Sequence, residues 1–152
     1  MPFDQTRKMM TSRLVDSLYT EAMVLADEAR SYFDQIGRGD RDGLTPIARV
    51  AFSCESLKVT TRLMHVIAWL LTRKAIAAGE IGERDSAPES RRLGQAAESD
   101  LNTLADLPDH AREIVTASID LYDRVLRIDQ GMTEPEPDSP ALQLLRRVER
   151  AL

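Results

Sequence analysis

The sequence predicts an all-α protein, an antiparallel three-helix bundle with a long central helix. Apolar residues recur at helical spacing from Pro46 to Gly79, with no other glycine or proline inside that stretch. A stretch on each side of it shows the same period and ends at a glycine. Aromatic residues make up only 5% of the 152 residues, and the alternating runs typical of strands are missing. A chain of this length fits one domain.

Helix one is predicted over residues 12–36, after a polar segment 1–11 that we expect to be frayed. Thr11 or Ser12 suits the N-cap, and Gly37 suits the C-terminal stop. The face toward the core is expected to carry Leu14, Leu18, Leu25, Ala29, Tyr32 and Ile36, joined by Val15, Ala22 and Phe33. Residues 37–43, rich in Gly and Asp, predict a short polar turn and hence antiparallel packing on the next helix.

The central helix is predicted over residues 46–79, roughly 50 Å at 1.5 Å per residue. Thr45 suits its N-cap, Pro46 its first position and Gly79 its end. Its apolar arc is too wide for one contact and divides into two lobes. We therefore expect a helix packed between helices one and three. The lobes are Phe52, Val59, Leu63, Val66, Leu70, and Val50, Leu57, Met64, Ala68, Leu71, Ala75.

A polar stripe fills the rest of this helix surface, and we expect it to be exposed. Trp69, the only tryptophan, lies on it. One interpretation covers Trp69 locally, by Arg73 or by residues 101–107. The other makes the stripe a dimer or partner contact, because Trp and Arg are enriched at interface hot spots. The candidate protein-interaction residues are Lys58, Arg62, His65, Trp69 and Arg73.

The charge distribution leaves two interpretations of this stripe. The central helix is basic, although the chain as a whole has a net charge of −5. The basic residues either pair with acidic neighbours, within the fold or across a dimer, or they dock an acidic partner. Nucleic acid is not an expected partner for an acidic chain without a Lys/Arg-rich segment.

The remaining chain predicts one more long helix and two flexible segments. Residues 80–98 predict a flexible loop, and three leucines at 101, 104 and 107 form a small apolar cluster. Helix three is predicted over residues 108–130, opened by Pro108 and stopped by Gly131. The tail, 131–152, is predicted to be mobile. Its last residues, 141–152, have amphipathic spacing, but such a short helix is unstable alone.

The residue types present do not support an enzyme, a metal site or a cofactor. Cys54 is the only cysteine and there are two histidines, so the usual metal ligands are too few to converge. Phosphotransfer from His65 is a minor alternative, since the Lys and Gly that usually follow such a histidine are missing. A single cysteine fits a reducing cytoplasm, and we see no secretory signal and no apolar run long enough for a membrane span.

A family resemblance appears in two blocks of the sequence. LTPIARVAFSCESLKV at 44–59, followed by TTRLMHVIAWLLTRKAIAAGEI at 60–81, resembles the RcdA-type regulators of CtrA degradation, a bacterial family. LPDHAREIVTASIDLYDRVLRID at 107–129 is similar to that family's third helix. The resemblance covers residues 9–130 or so, and the tail carries no matching motif.

This resemblance implies a non-catalytic, homodimeric adaptor without cofactors. Members of the family help the ClpXP protease to degrade cell-cycle regulators such as CtrA. They work with a response-regulator-like factor and a cyclic-di-GMP-binding partner, and they gather at a cell pole in the cytoplasm. A rigid bundle with flexible tethers suits such a role. The alternative is a helical homodimeric scaffold unrelated to proteolysis.

Overall fold

The computed structural model describes residues 2–82, 91–133 and 140–151. Within these ranges the chain forms helices and no strand, which confirms the all-α class. A π-helical segment, Tyr32–Ile36, joins the first two helices without a break. The helices are α1 (Pro2–Ser31), α2 (Gly37–Asp42), α3 (Pro46–Ala77), α4 (Leu101–Ala105), α5 (Asp109–Thr133) and α6 (Pro140–Ala151).

Helix α3 begins and ends close to the predicted positions. The Thr45 side chain accepts a hydrogen bond from the Ala48 N–H at 3.3 Å, and Pro46 is the first helical residue. Gly79 follows the helix with φ of 75°, a left-handed conformation that favours glycine. The cap, the proline and the glycine therefore set this helix as local sequence signals predict.

The first helical region differs from its prediction at both ends. It begins at Pro2, well before residue 12, and the predicted turn at 37–43 is instead helix α2. Gly37 does not stop the helix. A Cβ at Gly37 would lie 2.7 Å from the carbonyl oxygen of Tyr32, so the glycine permits this close approach. The Tyr32 hydroxyl donates to Asp40 at 2.8 Å, which ties the π-helical segment to α2.

The three long helices do not alternate in direction as predicted. Helices α1 and α3 are antiparallel, because Tyr32 packs near Phe52 while Lys74 pairs with Asp16 at the other end. Helix α5 is antiparallel to α1 and therefore runs parallel to α3. Its N-terminal and C-terminal halves meet α1 through the pairs His110–Glu28 and Arg124–Glu21. Residues 92–99 of the connection after α3 run back along that helix, which is consistent with this topology.

The core lies between α1, α3 and α5. Only the first predicted lobe of α3, the lobe of Phe52, Val59, Leu63, Val66 and Leu70, is buried in it. Leu104 and Leu107 close one end of the bundle, whereas Leu101 is 79% exposed. The side chains contributed by the other two helices include Val15, Leu18, Ala22, Leu25, Ala29, Ala111, Ile114, Val115, Leu121 and Val125.

The predicted flexible segments are described in part. Residues 83–90 of the loop and 134–139 of the tail lie outside the described residues. The tail forms helix α6, on which the side chains of Leu144, Leu145 and Val148 are exposed. None of the described helices is long and apolar enough to span a bilayer.

Candidate functional site

An extended segment of the chain covers the groove between α3 and α5. We call residues 92–99 the strap. It runs antiparallel to α3: Ser99 contacts Glu55, and Gly94 lies against His65. The helical rise from Glu55 to Trp69 is about 21 Å, and seven extended residues span about 23 Å. This match lets the strap follow α3 contact by contact.

Asp129 of α5 anchors one end of the strap. It is 1% exposed, and its two oxygens accept three hydrogen bonds. The donors are the Trp69 indole N–H at 3.1 Å, the Arg92 Nε at 3.0 Å and the Leu93 backbone N–H at 3.2 Å. A buried carboxylate is tolerable only when its oxygens are satisfied in this way. Asp129 therefore joins both helices to the strap.

A buried Arg62 holds the other end of the strap. The residue is 3% exposed, and its guanidinium donates to Ser118 on α5 at 3.3 Å. It also donates to the Ala97 carbonyl at 3.0 Å and to the Ser99 hydroxyl at 2.6 Å. Burial lowers the pKa of Arg62, and the nearby Glu55 carboxylate opposes that shift.

Ser99 completes this end by bridging the two buried charges. Its hydroxyl donates to Glu55 Oε2 at 2.5 Å while accepting from Arg62. The other Glu55 oxygen accepts from the Lys58 ammonium at 3.1 Å. Glu55, Arg62 and Lys58 thus form a charge cluster, and the strap covers it through its contacts with Arg62 and Glu55.

The middle of the strap approaches the helices too closely for a side chain. A Cβ at Gly94 would lie 2.8 Å from Nδ1 of His65. The Tyr122 hydroxyl donates to the Gly94 carbonyl at 2.6 Å, and burial raises the pKa of Tyr122. His65 therefore faces a glycine of its own chain, which does not suit the open phosphotransfer position considered above.

A cavity of about 530 Å³ lies between the strap and α5. Its residues include a buried cation, small strap side chains and part of the α5 surface. Because the strap carries alanines here, it fills only part of the groove. The lining includes Arg62, Gln95, Ala96, Ala97, Ile119 and Tyr122.

The predicted polar stripe is covered rather than exposed. Arg62 and Trp69 are each 3% exposed, and Lys58, His65 and Arg73 are half-buried. The expectation of an exposed stripe is wrong, because the strap and α5 lie over it. The Arg73 guanidinium lies 5.3 Å from the centre of the Trp69 ring, as the local interpretation expected. A role of these five residues in partner binding stays a prediction.

The second predicted lobe of α3 faces outward instead of packing on helix three. Val50, Leu57 and Met64 are 64–68% exposed, and Leu71 is 46% exposed. Together with small residues between them they follow alternating spacings of three and four, as in a coiled-coil seam. We call this surface the α3 seam: Ile47, Val50, Cys54, Leu57, Thr61, Met64, Ala68 and Leu71. The sequence contains this heptad spacing, but the helical periodicity of α3 alone does not show which of the two lobes is left exposed to solvent.

Two comparisons with known proteins give matches. The family described as "Protein of unknown function (DUF1465)" matches residues 6–152. The crystal structure of RcdA from Caulobacter crescentus CB15 is similar at 33% sequence identity. The match covers 78% of this chain and 90% of that chain, with a TM-score of 0.64. No curated protein matches the chain.

Proposed function

The chain belongs to the DUF1465 family and is a relative of RcdA, and from this premise we propose that it is a non-catalytic adaptor in regulated proteolysis. The proposed role is to promote ClpXP-dependent degradation of cell-cycle regulators such as CtrA. Its proposed partners are substrate proteins, a response-regulator-like adaptor and a cyclic-di-GMP-binding adaptor. We place it in the cytoplasm, concentrated at a cell pole.

The similarity to RcdA carries this proposal, and an exposed apolar surface on a rigid helix supports it. The α3 seam extends about 36 Å from Ile47 to Leu71. Soluble monomers rarely expose a large contiguous apolar surface, and such a surface usually marks an interaction site. On α6, Leu144, Leu145 and Val148 add a separate apolar face. Two apolar faces on one chain suit a protein whose work is to bring other proteins together.

We assign the α3 seam to a second copy of this chain. Heptad seams are self-complementary, because large residues at one position pack between those of the facing helix. An antiparallel pair centred near Thr61 would set Leu57 of each copy beside Met64 of the other. A two-fold contact of this kind is the commonest basis of homodimers. The seam then forms the dimer, and other surfaces remain for partners.

A reconstituted degradation assay tests the adaptor role. Purified chain is added to ClpXP, the two other adaptors and a CtrA-like substrate, and substrate loss is followed over time. We expect faster loss only when this chain is present. A truncated chain ending at Gly131 serves as the matched variant, and it should fold but deliver substrate less well. Unchanged degradation with every such substrate would contradict the proposal.

A homodimeric scaffold unrelated to proteolysis is the second candidate. The same α3 seam favours it, because that surface requires only another copy of the chain. Affinity capture from native cytoplasm, followed by mass spectrometry, separates the two. Recovery of protease components supports the adaptor, whereas repeated recovery of this chain without any of them supports the scaffold.

A further inference from the structure

The groove between α3 and α5 holds three peptide groups of the strap by hydrogen bonds. Asp129 accepts from the Leu93 N–H, Tyr122 donates to the Gly94 carbonyl, and Arg62 donates to the Ala97 carbonyl. These contacts involve helix side chains and strap peptide groups, so they do not require the strap's own side chains. An extended segment from another protein would present the same groups at the same spacing.

Three side chains of the strap, those of Arg92, Leu93 and Ser99, also contact the groove. Leu93 is buried at 7% exposure, and the Ser99 hydroxyl meets Glu55 and Arg62. Between them lie Gly94, Ala96 and Ala97, beside the cavity of about 530 Å³. Larger side chains at the alanine positions would fill space that the strap leaves open, and filling it would bury more apolar area against Ile119.

We propose that this groove is a binding site for an extended peptide segment of a partner protein, and that the strap occupies it as an internal substitute. The fitting peptide carries an apolar residue, then glycine opposite His65, then larger apolar residues where the strap has Ala96 and Ala97, and a hydroxyl residue opposite Arg62. This site goes beyond the proposed function, because binding requires neither protease nor other adaptors.

Displacement of the strap also gives the predicted polar stripe a partner. With the strap in place, Arg62, His65 and Trp69 face residues of their own chain. With a peptide in its place, Arg62 and His65 contact another molecule, and Trp69 keeps its hydrogen bond to Asp129. The groove and the α3 seam lie on different sides of α3, so a dimer can form while the groove is occupied.

Fluorescence polarisation with a labelled strap peptide, RRLGQAAESD, tests the proposal on the full chain. Gly94→Ala in the protein brings a Cβ to 2.8 Å from Nδ1 of His65, so it should weaken the seating of the strap. We expect this variant to bind the peptide at least about tenfold more tightly than the wild type, because the strap then vacates the site more readily. Gly131→Ala is the matched control, since a Cβ there meets nothing within 4 Å.

The peptide itself provides the second arm. Ala97→Leu in the peptide should tighten binding, and Gly94→Val in the peptide should abolish it. Equal binding of the parent peptide to the Gly94→Ala and Gly131→Ala proteins would overturn the proposal. Equal binding of the Ala97→Leu and Gly94→Val peptides to one protein would overturn it too. Circular dichroism establishes that each protein is folded. Should Gly94→Ala fail to fold, Leu93→Asp removes the strap's apolar anchor without a clash and takes its place in the assay.

Discussion

Trp69 on α3 donates its indole N–H to Asp129 on α5 at 3.1 Å, and this hydrogen bond is buried between two parallel helices. The same carboxylate accepts from Arg92 and from the Leu93 backbone. One buried acid therefore connects the central helix, the third long helix and the strap.

Asp129→Ala should lower the free energy of unfolding by about 3 kcal/mol, because it leaves an indole N–H and a backbone N–H without their acceptor in a buried site. Urea denaturation followed by circular dichroism measures the change. Asp120→Ala is the control, since its pair with Arg124 is on the surface and should contribute at most about 1 kcal/mol. Equal losses for the two variants would contradict a special role of Asp129.

Two glycines of the same short helix should respond oppositely to alanine. At Gly37 a Cβ would lie 2.7 Å from the Tyr32 carbonyl oxygen and 3.0 Å from its ring, so Gly37→Ala should destabilise by about 1–3 kcal/mol. At Gly39 a Cβ meets nothing within 4 Å, and alanine should stabilise α2 by about 0.5–1 kcal/mol. Thermal unfolding of both variants beside the wild type measures the pair. A stable Gly37→Ala protein would show that the Tyr32 packing can relax.

Local signals predicted much of the helical structure, but not what covers each helix. Thr45, Pro46 and Gly79 act within a few residues, and α3 follows them. The burial of Arg62 and Trp69 depends on residues 92–99, which have no helical or strand periodicity and are distant in sequence. The helical-wheel pattern of α3 does not indicate which of its faces an irregular segment covers. The direction of α5 was missed for the same reason, because it depends on the path of that connection.

Alkaline pH should destabilise the fold through two buried phenols. Burial raises the pKa of Tyr32 and of Tyr122, and the bond from Tyr32 to Asp40 raises the pKa of Tyr32 further. In the unfolded chain a phenol loses its proton near pH 10. The stability that each phenol contributes is therefore fully present below about pH 10, and it is lost as pH rises toward the higher folded pKa.

Urea denaturation followed by circular dichroism, at trial pH values from about 8 to about 12, measures how the free energy of unfolding falls. Above about pH 10, each buried phenol should lower the free energy of unfolding by up to about 1.4 kcal/mol per pH unit. The double variant Tyr32→Phe with Tyr122→Phe should flatten the slope, although it lowers stability at neutral pH by the loss of two hydrogen bonds. Tyr19→Phe is the control, because the Tyr19 ring is only half-buried and lies beside Lys74. An unchanged slope in the double variant would exclude the phenols as its cause.

The α3 seam should hold two copies of the chain together. Leu57→Glu and Met64→Glu place charges at the centre of this exposed apolar surface, where a second copy would bury them unpaired. We expect the double variant to be monomeric in multi-angle light scattering while keeping its helical content, because neither side chain lies in the core. Val24→Glu is the matched control, since Val24 on α1 is also 64% exposed but lies outside the seam. A dimer that survives both seam substitutions would place the interface elsewhere and leave the heptad spacing of α3 for a different partner.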